Sequence, residues 1–315
     1  MSDQLGPPPS PQLGPPPGLQ PGVPQRAGVI HDIGYRHYDG PRLGRFSIWQ
    51  ALVVSSLRHA YGLGRSAKSK IMPILLLAVM VVPVAIIVGI ESAMKLEEPP
   101  LTPVRYISFL QAVIALYLAS QAPQLFSRDL RYRSIVLYLA RPLRRTDYAL
   151  AKLTALVLAL MILIGLPLVI LYAGALLAKF DFTDMTKEFL SGIVAALLLS
   201  ILLAAIGGLI AAATPRRGFA VAAIIAVLIV SFTAVVTTVA ILSPDPELPI
   251  TTAARYANLG SPFTLVDVLQ SFILRGGGDF KPTTAQGLVF AAVYVALVAV
   301  CVWGVNVRYA KVARG

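Results

Sequence analysis

The densest set of chemically active side chains in this 315-residue chain is a basic segment from Arg128 to Lys152, RDLRYRSIVLYLARPLRRTDYALAK. Arg128, Arg131, Arg133, Arg141, Arg144, Arg145 and Lys152 surround a short apolar run, Ile135 to Leu139. Charge of one sign at this density binds anions or headgroups; without a paired acid or base it does not make or break bonds. The rest of the chain offers little for catalysis. The three histidines, His31, His37 and His59, show no His-Glu-x-x-His spacing, no Gly-x-Ser-x-Gly elbow is present, and no two carboxylates lie inside an apolar run. The single cysteine, Cys301, excludes an internal disulfide and a cysteine metal cluster.

Gly62 to Ser69, GLGRSAKS, falls one residue short of a phosphate-binding loop, with Ala67 in place of the second glycine. Such a loop must follow a buried strand and open a helix, so that backbone N–H groups cradle the phosphates. Here an amphipathic segment precedes it and a long apolar run follows, which removes the context the chemistry needs. The chain is therefore expected to hold no nucleotide, cofactor or metal of its own. If ATP drives this protein, ATP and Mg are bound by a partner.

The elements that position these residues follow from composition. Hydrophobic residues make up 57% of the chain and charged residues 13%, about half the charged share of a soluble domain. Six apolar stretches, near 71–91, 105–126, 149–177, 189–213, 219–242 and 285–307, reach the ~20 residues needed to cross a bilayer as helices. A β-barrel would show short alternating segments instead. The expected fold is thus an all-α integral membrane protein with six transmembrane helices. Ahead of them, Trp49, Val53, Leu57 and Tyr61 recur at helical spacing between Phe46 and Leu63, as in an amphipathic helix lying in the membrane interface; packing on a partner protein is the other use of that face. Residues 1–45 are read as a Pro/Gly-rich disordered tail, with Gln4 to Pro9 nearly repeated as Gln12 to Pro17, and 46–315 as the membrane domain.

The net charge of +12 would suggest nucleic acid if it formed a patch, but the basic residues occupy the gaps between apolar runs, so no nucleic-acid partner is expected. With the N-terminus inside, 20 of the 27 Lys/Arg fall on the inner side, and ten of the 15 Asp/Glu on the outer side. That asymmetry predicts a cell-membrane protein with both termini cytoplasmic. Pro142 must interrupt any helix in the basic segment, and Thr146 or Asp147 can cap the span that follows.

A long outer loop runs from Ser243 to about 284, where Ser261 and Pro262 can start a helix whose apolar stripe is Phe263, Val266, Leu269, Phe272 and Ile273, ended by Gly276 to Gly278. Within the spans, Glu91 is expected to be solvated near the interface, Gln111 and Gln121 to hydrogen-bond between helices, and Gly207-Gly208 to permit close helix contact. Pro83 and Pro167 are expected to kink their spans. The scarcity of buried charge disfavours an ion-coupled transporter.

The stretch Ser134 to Lys152 resembles the first cytoplasmic loop of the type-2 ABC exporter permeases: a charged helix, a leucine-rich run, a Pro-x-x-Arg turn and a lysine opening the third span. Leu137, Leu139, Pro142, Arg145 and Lys152 occupy the matching positions. The resemblance extends over about residues 46–310, through an interfacial helix, six spans and an outer loop holding a helix before the last span. It implies a half-transporter that pairs with a second permease copy or a relative above two ABC ATPase subunits. It also implies that the loop after span two is a coupling helix seated in an ATPase groove, with Arg128, Arg131, Arg133, Arg141, Arg144 and Arg145 as contact residues. The alternative for these arginines is that they enforce topology and meet lipid headgroups. The function expected is ATP-driven export of a hydrophobic or amphipathic compound such as a drug, an antibiotic or a lipid. The alternative is a non-transporting scaffold or sensor that partners an ABC ATPase.

Overall fold

Ala151, Ala155 and Ala159 stand four residues apart, on one face of a helix, and none of them has exposed surface. Small residues in this repeat let helix backbones approach closely where lipid gives no hydrophobic drive. The computed structural model describes residues 40, 44–64, 66–94, 99–127, 144–214, 216–244, 250–274 and 282–312. The chain divides into Met1–Arg42 and Leu43–Gly315, and the elements below belong to the second unit.

Its helices are α1 (Arg45–Ala60), α2 (Ala67–Met94), α3 (Pro103–Phe109), α4 (Gln111–Leu125), α5 (Arg145–Leu177), α6 (Phe182–Ala213), α7 (Arg217–Leu242), α8 (Thr252–Ala257), a 3₁₀ turn (Asn258–Gly260), α9 (Pro262–Leu274) and α10 (Thr284–Val312). No strand occurs among the described residues. Helices α2, α5, α6, α7 and α10 are long and apolar enough to cross a membrane, and α3 with α4 makes a sixth, broken crossing.

Helices α5 and α6 form the centre of the bundle, while α2, α7 and α10 leave most of their apolar surface outward. Ile74, Val82 and Ile86 of α2, Val230 of α7 and Val295 of α10 are each more than half exposed, which lipid tolerates and water does not. Two glycines hold the centre close: a Cβ on Gly207 would lie 2.7 Å from Leu118, and one on Gly208 2.9 Å from Leu153. The expected role of that pair is therefore seen.

Three expectations change. The second span is not one helix: α3 and α4 meet at Leu110 with a bend of 62°. Neither Gly nor Pro marks the break. Instead Thr102 caps α3 by accepting from the Arg105 N–H, Pro103 packs where Gly192 of α6 leaves room, and the Tyr106 hydroxyl donates to the Met80 carbonyl of α2. These ties fix α3 between α2 and α6, off the line of α4. Glu91 is 2% exposed rather than solvated, in a narrow space that it lines with Pro99, Leu101 and Tyr172. Gln121 donates to Ser120 of its own helix (3.1 Å), not to a neighbouring one.

Helix α1 turns its buried Leu52, Val53 and Ser56 toward the bundle, and the Tyr61 hydroxyl just beyond it donates to the Ala159 carbonyl of α5 at 2.8 Å. Burial pushes the Tyr61 phenol up to about 12, against a small lowering by the hydroxyl of Tyr117, so it remains a donor. The tight turn that follows uses Gly62 at φ +67. Pro73 has no N–H for the Ser69 carbonyl, and that oxygen would sit 2.6 Å from a Cβ at Gly62.

Candidate functional site

The two ends of the basic segment are held by one aromatic cluster. Phe126, just past α4, Tyr148 in the first turn of α5 and Tyr309 in the last turns of α10 are all fully buried. The Tyr148 and Tyr309 rings meet edge to face at 5.7 Å, and Phe126 and Tyr309 lie 6.5 Å apart. Phe126 also packs on the bare face of α6 at Gly208. Around the rings, the Ser127 hydroxyl donates to the Ala211 carbonyl (2.7 Å) and Arg308 Nε to the Ala212 carbonyl (3.3 Å). These two carbonyls lie in the last turn of α6, where no intrahelical N–H follows to take them. Four helix ends are thereby joined at the basic end of the bundle.

Of the residues singled out in the sequence, Arg128, Arg131, Arg133, Leu137, Leu139, Arg141 and Pro142 lie outside the described residues, as do Gly276 to Gly278. Arg144 is exposed at the N-cap of α5, Arg145 begins that helix, and Lys152 is 6% exposed with Nζ 5.5 Å over the Tyr148 ring. A buried ammonium over an aromatic face is attracted by the ring quadrupole. Asp147 accepts from the Arg144 N–H at 3.3 Å, and its carboxylate also takes the Arg45 guanidinium of α1. One carboxylate thus caps α5, as expected, and ties α1 to it. Gly62 to Ser69 runs from the turn after α1 into the first residues of α2, which begins at Ala67.

The opposite end is hollow. A cavity of about 600 Å³ lies between α3, the start of α4, α6, α7 and α9. Its apolar walls include Val104, Leu199, Phe232, Phe263 and Val266, and Arg105, Gln111, Thr264 and Asp267 line it with polar groups. Helix α9 forms one wall because Leu265, Val266, Val268 and Leu269 bury against the bundle, while the buried Gln270 amide donates to Ser191 of α6. A Cβ on Gly287 would fall 2.1 Å from Phe272, so α10 admits the far end of α9 only through that glycine. Ser261 stands ahead of α9 as expected, yet its hydroxyl makes no hydrogen bond; the Thr264 hydroxyl donates back to Asn258 (2.7 Å) and Ser261 carbonyls instead. The expected stripe is buried at Val266 and Leu269, partly buried at Phe263 and Phe272, and exposed at Ile273.

A bundle of long apolar helices agrees with comparison to known families. A family model described as ABC-2 family transporter protein matches residues 29–312. The chain belongs to the ABC-2 transporter family. A search of the curated proteins returns no match.

The ABC-2 match begins at residue 29, earlier than the resemblance at about 46, so it takes in Arg36 to Arg45. Membership accounts for the apolar crossings: this is a multi-pass membrane subunit of the permease type. In the permease, Lys152 and Asp147, singled out in the sequence, lie at the same corner as Phe126, Tyr148 and Tyr309, which were not. The spacing of Tyr148 and Lys152, four residues on one helix face, was the available signal. The cavity had none, since it arises from the break at Leu110.

Proposed function

We propose that this chain is the membrane-spanning half of an ATP-driven exporter, moving a hydrophobic or amphipathic compound outward while a separate ABC ATPase binds ATP and Mg. The basic end then faces the cytoplasm with both termini, in the cell membrane, as the positive-inside bias supports. Residues 1–45 are its cytoplasmic tail, and α1 lies in the membrane interface. The segment from Arg128 to Lys152 docks on the ATPase, with Arg128, Arg131, Arg133, Arg141, Arg144 and Arg145 as contact residues, and two permease copies, or this one and a relative, share the pathway.

The observation that carries this reading is the clamp. Phe126 and Ser127 end the helix before the segment, Arg144 and Tyr148 open the helix after it, and the same buried rings hold both. A force applied to the segment therefore acts on α4, α5, α6 and α10 together rather than on one loop. Lys152 over Tyr148 and Arg45 on Asp147 stiffen the same corner.

The test is co-expression with the ABC ATPase encoded beside the chain, affinity purification, and an ATPase assay in nanodiscs. A stable complex with vanadate-sensitive turnover is expected, lost when Arg141, Arg144 and Arg145 are changed to glutamate. Absence of any co-purifying ATPase would remove the mechanism. A complex whose turnover no compound alters, and which moves none across a vesicle, would instead support a scaffold or sensor.

A further inference from the structure

We infer that the end of the bundle away from the basic segment carries a cation site, in which Glu91 of α2, Tyr172 of α5 and Glu188 of α6 hold one Ca²⁺-sized divalent cation. The site stands on the geometry of a second, smaller cavity. Only the supply of the cation from outside the cell rests on the orientation given above.

Glu91 supplies the first reason. Its side chain is 2% exposed and lines a cavity of about 20 Å³, and its Oε2 meets no hydrogen-bond donor. A buried carboxylate is stable only when it is paired, protonated or bound to a metal. An ionisable group enclosed in this way in a membrane protein marks a site by default. Glu188 lines the same cavity from α6 and is half-buried. Its neighbour Lys187 is turned to Asp184 on the exposed face, at 3.2 Å.

The third oxygen is an acceptor as well. The Thr186 hydroxyl gives its proton to the Phe182 carbonyl at 2.7 Å, so the Tyr172 hydroxyl, 2.9 Å from Thr186 Oγ1, is the donor of that pair. The Tyr172 oxygen keeps a lone pair to offer. Stacking on Phe189, with 4.6 Å between ring centres, fixes the ring at the cavity wall. Pro99 and Pro103, also in the wall, have no N–H. The described side chains around the cavity thus present acceptors and no donor, and an occupant must bring the positive charge.

Charge and size select the ion. Two carboxylates balance a divalent cation, whereas a monovalent one leaves a negative charge half-buried. About 20 Å³ holds one water-sized occupant. Mg²⁺, which retains several waters, does not fit, while Ca²⁺ accepts irregular sets of oxygens. Carboxylate and phenol oxygens without His or Cys are hard ligands, which disfavours zinc and copper. No group of three His, Cys, Asp or Glu gathers among the described residues, so water on the solvent side of Glu188 completes the shell. With two charged ligands, Kd should lie near 0.1–1 mM, about that of extracellular calcium modules.

The probe is terbium(III), which shares the oxygen preference of Ca²⁺ and luminesces when a nearby tyrosine absorbs. It is added to the full chain in phosphatidylcholine nanodiscs free of anionic lipid. Saturable luminescence is expected, displaced by Ca²⁺ at about 0.1–1 mM and roughly tenfold less well by Mg²⁺ or Na⁺. Glu91→Gln and Glu188→Gln should each weaken terbium binding by about tenfold or more, since affinity follows the count of charged ligands. Tyr172→Phe should dim the saturated signal, because phenylalanine sensitises poorly. Ca²⁺ should also raise the melting temperature of the unaltered chain by a few degrees and that of neither glutamine variant, a readout independent of luminescence.

Luminescence that never saturates, that both glutamine variants leave unchanged, or that Mg²⁺ displaces as well as Ca²⁺ would overturn the inference. So would an unaltered chain that Ca²⁺ does not stabilise beside a Glu91→Gln chain that melts no lower, the signature of a carboxyl that is simply protonated. Lys95, four residues beyond Glu91 in the sequence and outside the described residues, is the chain's own rival cation. Lys95→Gln should leave binding unchanged; binding that appears only in that variant would give the place to its ammonium and remove the site. None of these measurements needs an ATPase, so export can fail while the site stands, and loss of the site leaves export untouched.

Discussion

Around Tyr309 three aromatic rings close on one another with no exposed surface, whereas around Phe263 the helices stand apart on a cavity of about 600 Å³. Both regions use α4 and α6 and similar side chains. The difference lies in what the backbones do. At the basic end, Gly208 and Ala211 of α6 and Ala149 of α5 let the helices meet, and the Ser127 and Arg308 side chains satisfy the exposed carbonyls of α6. At the other end the break at Leu110 swings α3 by 62°, and α9 is inserted from a loop instead of a full crossing. Tight packing transmits displacement, and hollow packing admits a ligand. One bundle thus has a close-packed end and a hollow end, mechanical and receptive on the export reading proposed above.

The sharpest way to break that contrast is to remove one ring at each end. Tyr309→Ala deletes a fully buried side chain that touches Phe126 and Tyr148, and should cost about 3 kcal/mol of stability. In lipid the loss is mainly one of packing, so the void rather than the transfer term sets its size. Phe263→Ala, on a ring that already borders open space, should cost no more than about 1 kcal/mol. Denaturant unfolding of both variants in matched nanodiscs measures the difference. Equal losses would mean that the cavity is closed by motions or partners that the single chain lacks, and the contrast would fail.

A second test sharpens the mechanical end at its edge. Gly62 has φ +67, and a Cβ there would lie 2.6 Å from the Ser69 oxygen, a backbone atom that cannot swing away. Gly62→Ala should therefore cost about 2 kcal/mol through strain and displacement of α1 from α2. Gly64, also at positive φ but with open space around its Cβ, supplies the control: Gly64→Ala should cost about 1 kcal/mol from conformation alone. If the two are equal, the close approach to Ser69 carries no weight.

Much of this was legible in the sequence, and the parts that were not have physical causes. Five of the six expected spans appear as single helices, because twenty apolar residues in a row have few alternatives in lipid. Their ends ran longer than the apolar windows: α5 starts at Arg145 and α6 at Phe182, since charged first turns such as the one holding Asp184 and Lys187 remain helical outside the hydrocarbon. The break at Leu110 was hidden because its causes, Gly192 and Met80, belong to other helices. Glu91 was misjudged for the same reason: a carboxylate at the expected end of a span reads as solvated until Pro99, Leu101 and Tyr172 are seen to line the same narrow space. Tyr148 and Lys152 could be paired from spacing, but nothing local says that Tyr309 comes to meet them.

The smallest expected effect tests the receptive end from outside its cavity. Lys179, in the turn between α5 and α6, is the described non-glycine residue with positive φ, at +64. It ends α5 in a left-handed cap: its own N–H bonds the Leu176 carbonyl at 3.1 Å, and the next, from Phe180, reaches back to Ala175 at 3.2 Å. Glycine adopts that conformation without the Cβ penalty, so Lys179→Gly should stabilise the native chain by about 0.5–1 kcal/mol, less the greater freedom it gives the unfolded chain. The turn joins the two central helices on the same side as the cavity, yet none of its residues lines it. Unfolding in nanodiscs should therefore shift slightly upward. A downward shift would show that contacts of the Lys179 side chain, rather than the geometry of the backbone turn, hold the central helices together at the hollow end.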